Sequence, residues 1–486
     1  MASLARPTAV ENNRWYERAY LYVVFAALAV LPLVMLAAVF DASGKFAVVV
    51  SGLLCLLAIS FPLLLPGRKT TLYEPLILMI IAVLIGCTLR GVYIAYSDNA
   101  RVSALMLGQS YIEIAERAPW LMLGLFALAS GYAATTARVP IERIRWLFDR
   151  QITTGPRFKL ALIISVIVSV LGIALFVNAY DVQLSLDSIS SKRTTSIITD
   201  DGEEVFSSLG YLRFMSEAGS SALYYFITAT LFNKKKLTLS NIALIIALFV
   251  IASAIPFLSS SRATIGQLII NSALLFFILG RLNNRWLFAS IVIVVGMAFG
   301  MAQLRSIAQT DLGYRAEDTF IDTIVGSGNF VDISRTSAII SRVPANTDHL
   351  HGLSYLALVT APIPKALWPE KPNPSMGPWV RSEVFGIWAR NNGWPPNVIG
   401  EAYINFGYLG LLIMPLLIGS GIKLVYNSFA PLIRVNPVAA LIYTAIFWPL
   451  GISFIQLNFA QGVSITLQPA ISIILFILLA TRRARK

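Results

Sequence analysis

The sequence predicts an all-α, polytopic integral membrane protein with about twelve spanning helices. Of its 486 residues, 57% are hydrophobic and only 13% are charged, and the mean hydropathy is +0.72. Soluble globular proteins carry roughly 25% charged residues. A helix needs about 20 consecutive apolar residues to cross the bilayer with its backbone hydrogen bonds closed internally. Segments of that kind recur along nearly the whole chain.

Most of the predicted spans alternate with short polar connections. The first span is too long for a cleaved signal peptide, so we interpret it as an anchor. They cover 19–40, 46–66, 73–95, 119–137, 160–179, 209–232, 238–258, 263–280, 286–304, 401–422, 437–457 and 464–481. We treat residues 1–486 as a single membrane domain.

Basic residues indicate the orientation. With the N-terminus in the cytoplasm, the cytoplasmic loops and both termini hold 22 of the 38 Lys and Arg residues but five acids, a net charge of +17. The rest of the chain has a net charge of −4. Positive charge concentrated in short loops marks the cytoplasmic side, so both termini are predicted to be cytoplasmic. The basic character then reflects topology and contact with anionic lipids, and no nucleic-acid partner is predicted.

Cysteine and histidine usage points away from metal or disulfide chemistry. Both cysteines, Cys55 and Cys87, fall inside predicted spans, and the two histidines are His349 and His351. No HExxH, CxxC or DxD pattern occurs. We therefore expect no metal and no cofactor.

Residues 305–400 form the largest predicted loop, between the ninth and tenth spans on the external side. Structureless loops of this length are uncommon, and apolar runs such as SYLALVTAPI (354–363) predict short helices packed on the membrane domain. The loop concentrates cations, both histidines and four of the nine tryptophans. Cations bind phosphates and indole rings pack on sugars, so this combination predicts an anionic glycolipid ligand. Tryptophans of an interface belt are the alternative interpretation.

Arg262, in FLSSSRATIG (257–266), has no acid nearby in sequence. A cation at the mouth of a span is costly unless it is paired or solvated, which makes it a candidate phosphate ligand. The alternative is a side chain that reaches the interface as an anchor.

Three stretches together resemble the Wzy-type O-antigen polymerases, the oligosaccharide repeat-unit polymerases of bacteria. They are SSSRATIG (259–266), GLSYLALVTAPIPKALWPEKP (352–372) and PPNVIGEAYINFGYLGLL (395–412). The resemblance covers roughly residues 257–412. Lys365 departs from it, because arginine is the more usual residue there, and a lysine supplies a point charge instead of a bidentate clamp.

The resemblance implies a fold like that of the C-type, metal-independent glycosyltransferases and a location in the bacterial inner membrane with the active site facing the periplasm. It implies that undecaprenyl-diphosphate-linked oligosaccharides are polymerised into O-antigen or a related surface polysaccharide. Other expected partners are membrane lipids and a chain-length regulator. Fixed cations would stabilise the leaving diphosphate. The expected diphosphate ligands are Arg262, Arg305, Arg335, Lys365, Lys371 and Arg381.

The candidates for a general base are Glu401, His349 and His351. Glu401 at the start of a predicted span is equally explained as a helix N-terminal acid, and the histidines as surface residues. The expected sugar contacts are Trp368, Trp379, Tyr403 and Asn405. A ligase that transfers the finished glycan to lipid A, or a glycan transporter, are alternative functions. A transporter would be expected to show repeated halves and charges at the membrane midplane.

Overall fold

A computed structural model gives the fold. It describes residues 43–65, 70–99, 101–140, 144–179, 196–198, 204–206, 210–233, 237–259, 261–280, 282–308, 320–326, 331–361, 363, 368, 371–387 and 393–483. The predicted first span, 19–40, lies outside these residues.

Seven helical segments in the described residues are long and apolar enough to cross a membrane, which confirms the prediction of a helical membrane protein. They are Lys45–Leu64, Pro75–Tyr96, Pro156–Asn178, Leu239–Leu258, Asn397–Phe429, Pro437–Gln456 and Phe459–Ala480. Two shorter apolar helical stretches cover Ala263–Ile278 and Arg285–Met297. The count of twelve spans goes beyond what these lengths and compositions establish.

The helices are numbered in chain order. The first half contains α1 Lys45–Ser60, α2 Pro75–Val83, α3 Arg90–Tyr96, α4 Arg101–Met106, α5 Tyr111–Ala134, α6 Arg145–Phe148, α7 Pro156–Ala179, α8 Gly210–Phe232, α9 Leu239–Leu258, α10 Arg262–Ile278 and α11 Asn284–Ala308. A 3₁₀ turn, Phe61–Leu64, follows α1, and a π-helical turn, Leu84–Leu89, joins α2 to α3.

The second half contains α12 Phe320–Ile324, α13 Ile333–Arg342, α14 Leu353–Thr360, α15 Gly377–Trp379, α16 Asn397–Phe429, α17 Pro437–Ile442, α18 Leu450–Gln456 and α19 Phe459–Ala480. π-Helical segments Val380–Val384 and Tyr443–Phe447 follow α15 and α17. Short helices therefore form within the described parts of the predicted 305–400 loop, as the apolar runs in it indicated.

Strands are minor. β1 Arg150–Gln151 pairs antiparallel with β4 Arg482–Arg483, so the segment after α6 is joined to the end of α19. β2 Ser196–Ile198 pairs antiparallel with β3 Glu204–Phe206.

Helices α5 and α16 form a close pair in the core. They run parallel, because Trp120 stacks on Tyr408 with ring centroids 4.3 Å apart, and Asn427 Nδ2 donates to Thr135 O over 3.0 Å one helix length later. A Cβ atom at Gly419 would lie 1.9 Å from the carbonyl oxygen of Leu128. Only glycine permits that approach, as is usual where helices pack through small residues in membranes.

Candidate functional site

Helix α16 is broken at Gly407. This residue has φ 60° and ψ −144°, a conformation that strongly favours glycine. The break separates an arm, residues 397–406, from the long helical part 408–429. The predicted span 401–422 therefore lies within the candidate span Asn397–Phe429, which is interrupted at a glycine. Residues 397–405 are all buried. The arm therefore lies inside the protein, and it carries the motif GEAYINFG (400–407) that the sequence singled out.

Breaking the helix leaves carbonyl groups near the kink without helical partners, and the loop before α14 supplies donors for two of them. Leu350 N donates to Ile404 O and His351 N donates to Asn405 O, each over 3.0 Å. These bonds dock residues 349–354 on the arm, so segments about 50 residues apart in sequence form one site.

Glu401 is fully buried within the arm. One carboxylate oxygen accepts from Ser354 Oγ over 2.7 Å, and the other accepts from the Phe459 backbone N–H over 2.6 Å. Glu401 thus joins α14 and the start of α19 to the arm. It is an interior acid with hydrogen-bond partners from two other elements, not a helix-capping acid at an exposed end.

Asn405 continues this network. Its Nδ2 donates to Ser354 Oγ over 2.7 Å and to Glu401 O over 2.8 Å, and its Oδ1 accepts from Gly352 N over 2.9 Å. Tyr403 donates its hydroxyl to the carbonyl oxygens of Ile340 and Val343. The polar atoms of Asn405 and Tyr403, two of the four predicted sugar contacts, therefore bind protein groups and hold the loop and α13 against the arm.

The structure separates the two histidines. His349 is half-buried, and its Nδ1 lies 3.2 Å from Ile404 O. A carbonyl oxygen only accepts, so this bond places the proton on Nδ1 and leaves Nε2 as an acceptor. A Cβ atom at Gly407 would lie 3.5 Å from His349 Nε2, so the ring sits at the kink. His351 is exposed, with its ring centroid 6.5 Å from that of His349. Of the two, His349 has the orientation of a base.

Tyr355 lies beside this network. Its ring is parallel to that of Phe406, with centroids 6.2 Å apart, and lies 5.9 Å from that of Phe459. The Tyr355 hydroxyl is buried and has no hydrogen-bond partner among the described residues. Burial, with the Glu401 charge adding to it, raises the pKa of Tyr355 well above its usual range. The phenol therefore stays protonated and is a donor at neutral pH.

A second polar group ties α3 to α13. Arg90 is fully buried and donates Nε and Nη2 to Val325 O over 2.8 and 2.6 Å, while its Nη1 pairs with Asp332 Oδ2. Arg335 Nη2 lies 3.8 Å from the same carboxylate oxygen. Asp332 Oδ1 also caps α13 by accepting from Ser334 N over 3.1 Å. Arg90 is thus paired with an acid of the predicted 305–400 loop.

The charge state of Asp332 follows from these contacts. Burial raises its pKa, but the Arg90 and Arg335 guanidinium groups and the hydrogen bonds from Ser334 and Arg335 outweigh that effect. The net result is a pKa below the ordinary value of an aspartate, so Asp332 is an anion at neutral pH.

Aromatic and guanidinium groups alternate beside this ion group. The Arg342 guanidinium carbon lies 4.7 Å from the Phe385 ring centroid, Phe385 meets Trp394 edge-on with centroids 5.2 Å apart, and the Arg381 guanidinium carbon lies 5.4 Å from the Trp394 ring centroid. Arg381 and Arg335 are both predicted phosphate ligands. Arg381 packs on Trp394 and Arg335 lies on α13 beside Asp332, so both belong to this second group.

The other predicted site residues are scattered. Lys371 donates Nζ to carbonyl oxygens at the end of α14, over 2.9 Å to Ala361 O and 2.5 Å to Ile363 O. Trp368 is exposed and Trp379 is half-buried. Arg262 begins α10 and Arg305 lies in α11, but their side chains are outside the described residues, as is Lys365. Of the two lysines in PKALWPEK (364–371), the structure describes Lys371, and its ammonium group donates to backbone carbonyl oxygens.

Sequence reasoning did not select Ser354, Tyr355, Asp332 or Asn458. Asn458 donates Nδ2 to Pro374 O over 2.8 Å, and its Oδ1 accepts from Met376 N over 3.1 Å. A signal existed for two of these residues: Ser354 and Tyr355 stand in SYLALV, inside the stretch that carries the resemblance. Asp332 and Asn458 act through residues distant in sequence, and no local pattern marks them.

No group of three or more His, Cys, Asp and Glu side chains in the described residues is arranged to hold a metal ion. Comparison with known proteins finds no family model, no curated protein and no solved structure that matches the chain.

Proposed function

We propose that the protein is a metal-independent glycosyltransferase with about twelve spans that polymerises polyprenyl-diphosphate-linked oligosaccharides on the external face of a bacterial inner membrane. The observation that carries the proposal is the position of Phe459. Its backbone N–H binds the buried Glu401, and its ring lines an apolar groove of about 300 Å³ between the start of α2, α16, the π-helical segment Tyr443–Phe447, α18 and α19. A polar site at the kink thus adjoins a surface suited to a lipid chain.

The groove has the character that a lipid-linked substrate requires. It is lined by apolar side chains and two tyrosines, among them Met414, Ile418, Tyr426, Tyr443, Phe454 and Val463. Its lining residues belong to four candidate membrane spans, Pro75–Tyr96, Asn397–Phe429, Pro437–Gln456 and Phe459–Ala480. An isoprenoid chain in the groove would bring its diphosphate toward the Glu401 end.

In the proposed reaction, the acceptor sugar hydroxyl attacks the anomeric carbon of the donor, and the bond from that carbon to the diphosphate oxygen breaks. His349 Nε2 takes the hydroxyl proton, and the diphosphate leaves with the bonding electron pair. Glu401 holds α14 and α19 in place, and the Tyr355 hydroxyl is a donor beside it. Arg262, Arg305 and Lys365 remain the predicted cations for the diphosphate.

The test uses membranes of a strain whose own polymerase gene is deleted and replaced by variants of this chain. His349→Ala should lower the amount of polymer by a factor of about 10² to 10⁴, the usual contribution of general base catalysis. His351→Ala, which removes the exposed neighbour, is the matched control and should retain polymer. Protein abundance in the membrane is measured for each variant.

The pattern of glycan left behind separates the alternatives. Loss of a polymerase leaves single repeat units attached to the lipid, whereas loss of a ligase leaves none. Long polymer from His349→Ala at normal abundance would remove His349 from the mechanism, and absence of any attached glycan would favour the ligase.

A further inference from the structure

A cavity of about 260 Å³ lies among α4, α12 and α13, and none of its lining residues belongs to the Glu401 network. It is lined by Ala104, Leu105, Leu107, Gly326, Asp332, Arg335 and Trp394. Sites for drug-sized ligands have volumes of roughly 300 to 1,000 Å³. This cavity is slightly smaller, which suits a single sugar ring.

The surroundings of the cavity are positively charged. Arg335, which is 7% exposed, lines it directly. Arg342 Nη2 donates to the lining residue Leu107 over 2.8 Å, and Arg381 stacks on the lining Trp394. The lining itself holds one guanidinium, that of Arg335, and one carboxylate, that of Asp332, while Arg342 and Arg381 add two guanidinium groups at residues that contact the lining.

The carboxylate in the lining does not oppose an anionic ligand, because it is already neutralised. Asp332 Oδ2 pairs with Arg90 and lies 3.8 Å from Arg335, and its Oδ1 accepts from Ser334 N and from Ser334 Oγ over 2.7 Å. Because Asp332 already has Arg90 as its close partner, Arg335, whose Nη1 donates to Pro395 O over 3.3 Å, adds a positive charge to the cavity wall.

The cavity wall also includes the indole of Trp394, which contacts Phe385 edge-on and has the Arg381 guanidinium on one side. A ring fixed in this way provides a flat apolar surface next to a buried guanidinium. Pyranose rings pack on such surfaces through their C–H faces, and guanidinium groups bind carboxylates through paired N–H donors.

We propose that this cavity binds an acidic pyranose of the glycan, with the sugar ring against Trp394 and the sugar carboxylate on Arg335. The inference rests on the proposed function for the identity of the substrate as a glycan. It assigns Arg335 to a sugar carboxylate in place of the diphosphate, and it places one glycan contact apart from the site at the kink.

The test measures binding of soluble sugars to the purified full chain in lipid nanodiscs by saturation-transfer NMR. The probes are the methyl glycosides of glucuronic acid, galacturonic acid and N-acetylneuraminic acid, the neutral methyl glucoside and methyl galactoside, and inorganic diphosphate. At least one acid should bind about tenfold more tightly than the neutral sugars, the value of one charge-assisted hydrogen bond. Arg335→Gln and Trp394→Ala should each abolish that preference.

Two further variants guard against misfolding. Ala104→Trp fills the cavity from α4 while Asp332 and Arg335 themselves stay unchanged, and it should also abolish binding. Trp286→Ala removes an exposed tryptophan of α11 outside the cavity and should change nothing. Equal binding of acidic and neutral sugars, binding unaffected by Ala104→Trp, or capture of diphosphate alone would overturn the proposal.

This measurement is independent of polymer synthesis. Binding of an acidic sugar by a chain that makes no polymer would leave the cavity assignment intact and overturn the proposed function. Polymer synthesis by a chain that binds no acidic sugar would do the reverse.

Discussion

Removing Arg90 should destabilise the protein far more than removing an exposed arginine of a similar pair. Arg90 is fully buried, its guanidinium bonds twice to Val325 O, and it pairs with Asp332, whose side chain is 3% exposed. Arg90→Met fills similar volume but leaves a buried carboxylate with the distant Arg335 and a buried carbonyl without its donors. Breaking a buried ion pair costs about 3–5 kcal/mol of unfolding free energy.

The matched control is the pair Arg145 and Asp149, whose atoms lie 3.6 Å apart with side chains 75% and 37% exposed. Arg145→Met should cost less than about 1 kcal/mol, because water screens exposed pairs. Both variants are compared by denaturation in mixed micelles, followed by tryptophan fluorescence.

A double-mutant cycle isolates the pair itself. Arg90→Met combined with Asp332→Asn should cost less than the sum of the two single losses by at least about 1 kcal/mol, since contacting residues couple. A loss below 1 kcal/mol for Arg90→Met, or strict additivity in the cycle, would refute the assignment of Arg90 as the ion partner that holds α13 to α3.

Three further outcomes are expected. Gly419→Ala would place a Cβ atom 1.9 Å from Leu128 O, so it should lower the yield of folded protein or cost about 1–3 kcal/mol or more of stability. Gly421→Ala, whose Cβ atom would have no neighbour within 4 Å, should leave stability unchanged. Thermal aggregation of the purified variants measures both effects. Glu401→Gln replaces the carboxylate that accepts from the Phe459 N–H. It should lower polymer yield and cost about 1–3 kcal/mol of stability, and both quantities are measured on the same preparations. Wild-type values for both would remove Glu401 from the network. The lowered pKa of Asp332 means that this group stabilises the fold above its unfolded pKa of roughly 4 and that the contribution is lost as pH falls through the folded pKa. Asp332→Asn should therefore lose less stability than the parent between about pH 5 and pH 3, and parallel acid titrations would contradict this.

The membrane class could be predicted from composition because the bilayer permits few solutions. A backbone in hydrocarbon must satisfy its own hydrogen bonds, so long apolar runs are read as helices without knowledge of their neighbours. Helices α7, α9 and α19 lie where the hydropathy placed spans. Hydropathy also placed a span at 401–422, and Asn397–Phe429 is long and apolar enough to cross a membrane, but the backbone breaks within GEAYINFGYLG (400–410). The signal for that break is one glycine whose dihedral angles depend on the loop that docks there.

What the sequence determined by itself was the kind of protein, a helical membrane protein, and the concentration of its cations, histidines and tryptophans in 305–412. Tertiary structure decided which groups those residues contact. Glu401 became an interior group because Ser354 and Phe459 come to it from other elements, and His349 became the oriented histidine because the broken helix offers it the carbonyl of Ile404. Arg90 forms an ion pair with Asp332, which lies 242 positions later in the sequence. Hydropathy depends on each residue's own transfer free energy, whereas hydrogen-bond partners depend on which segments meet in space, and that information is not local in the chain.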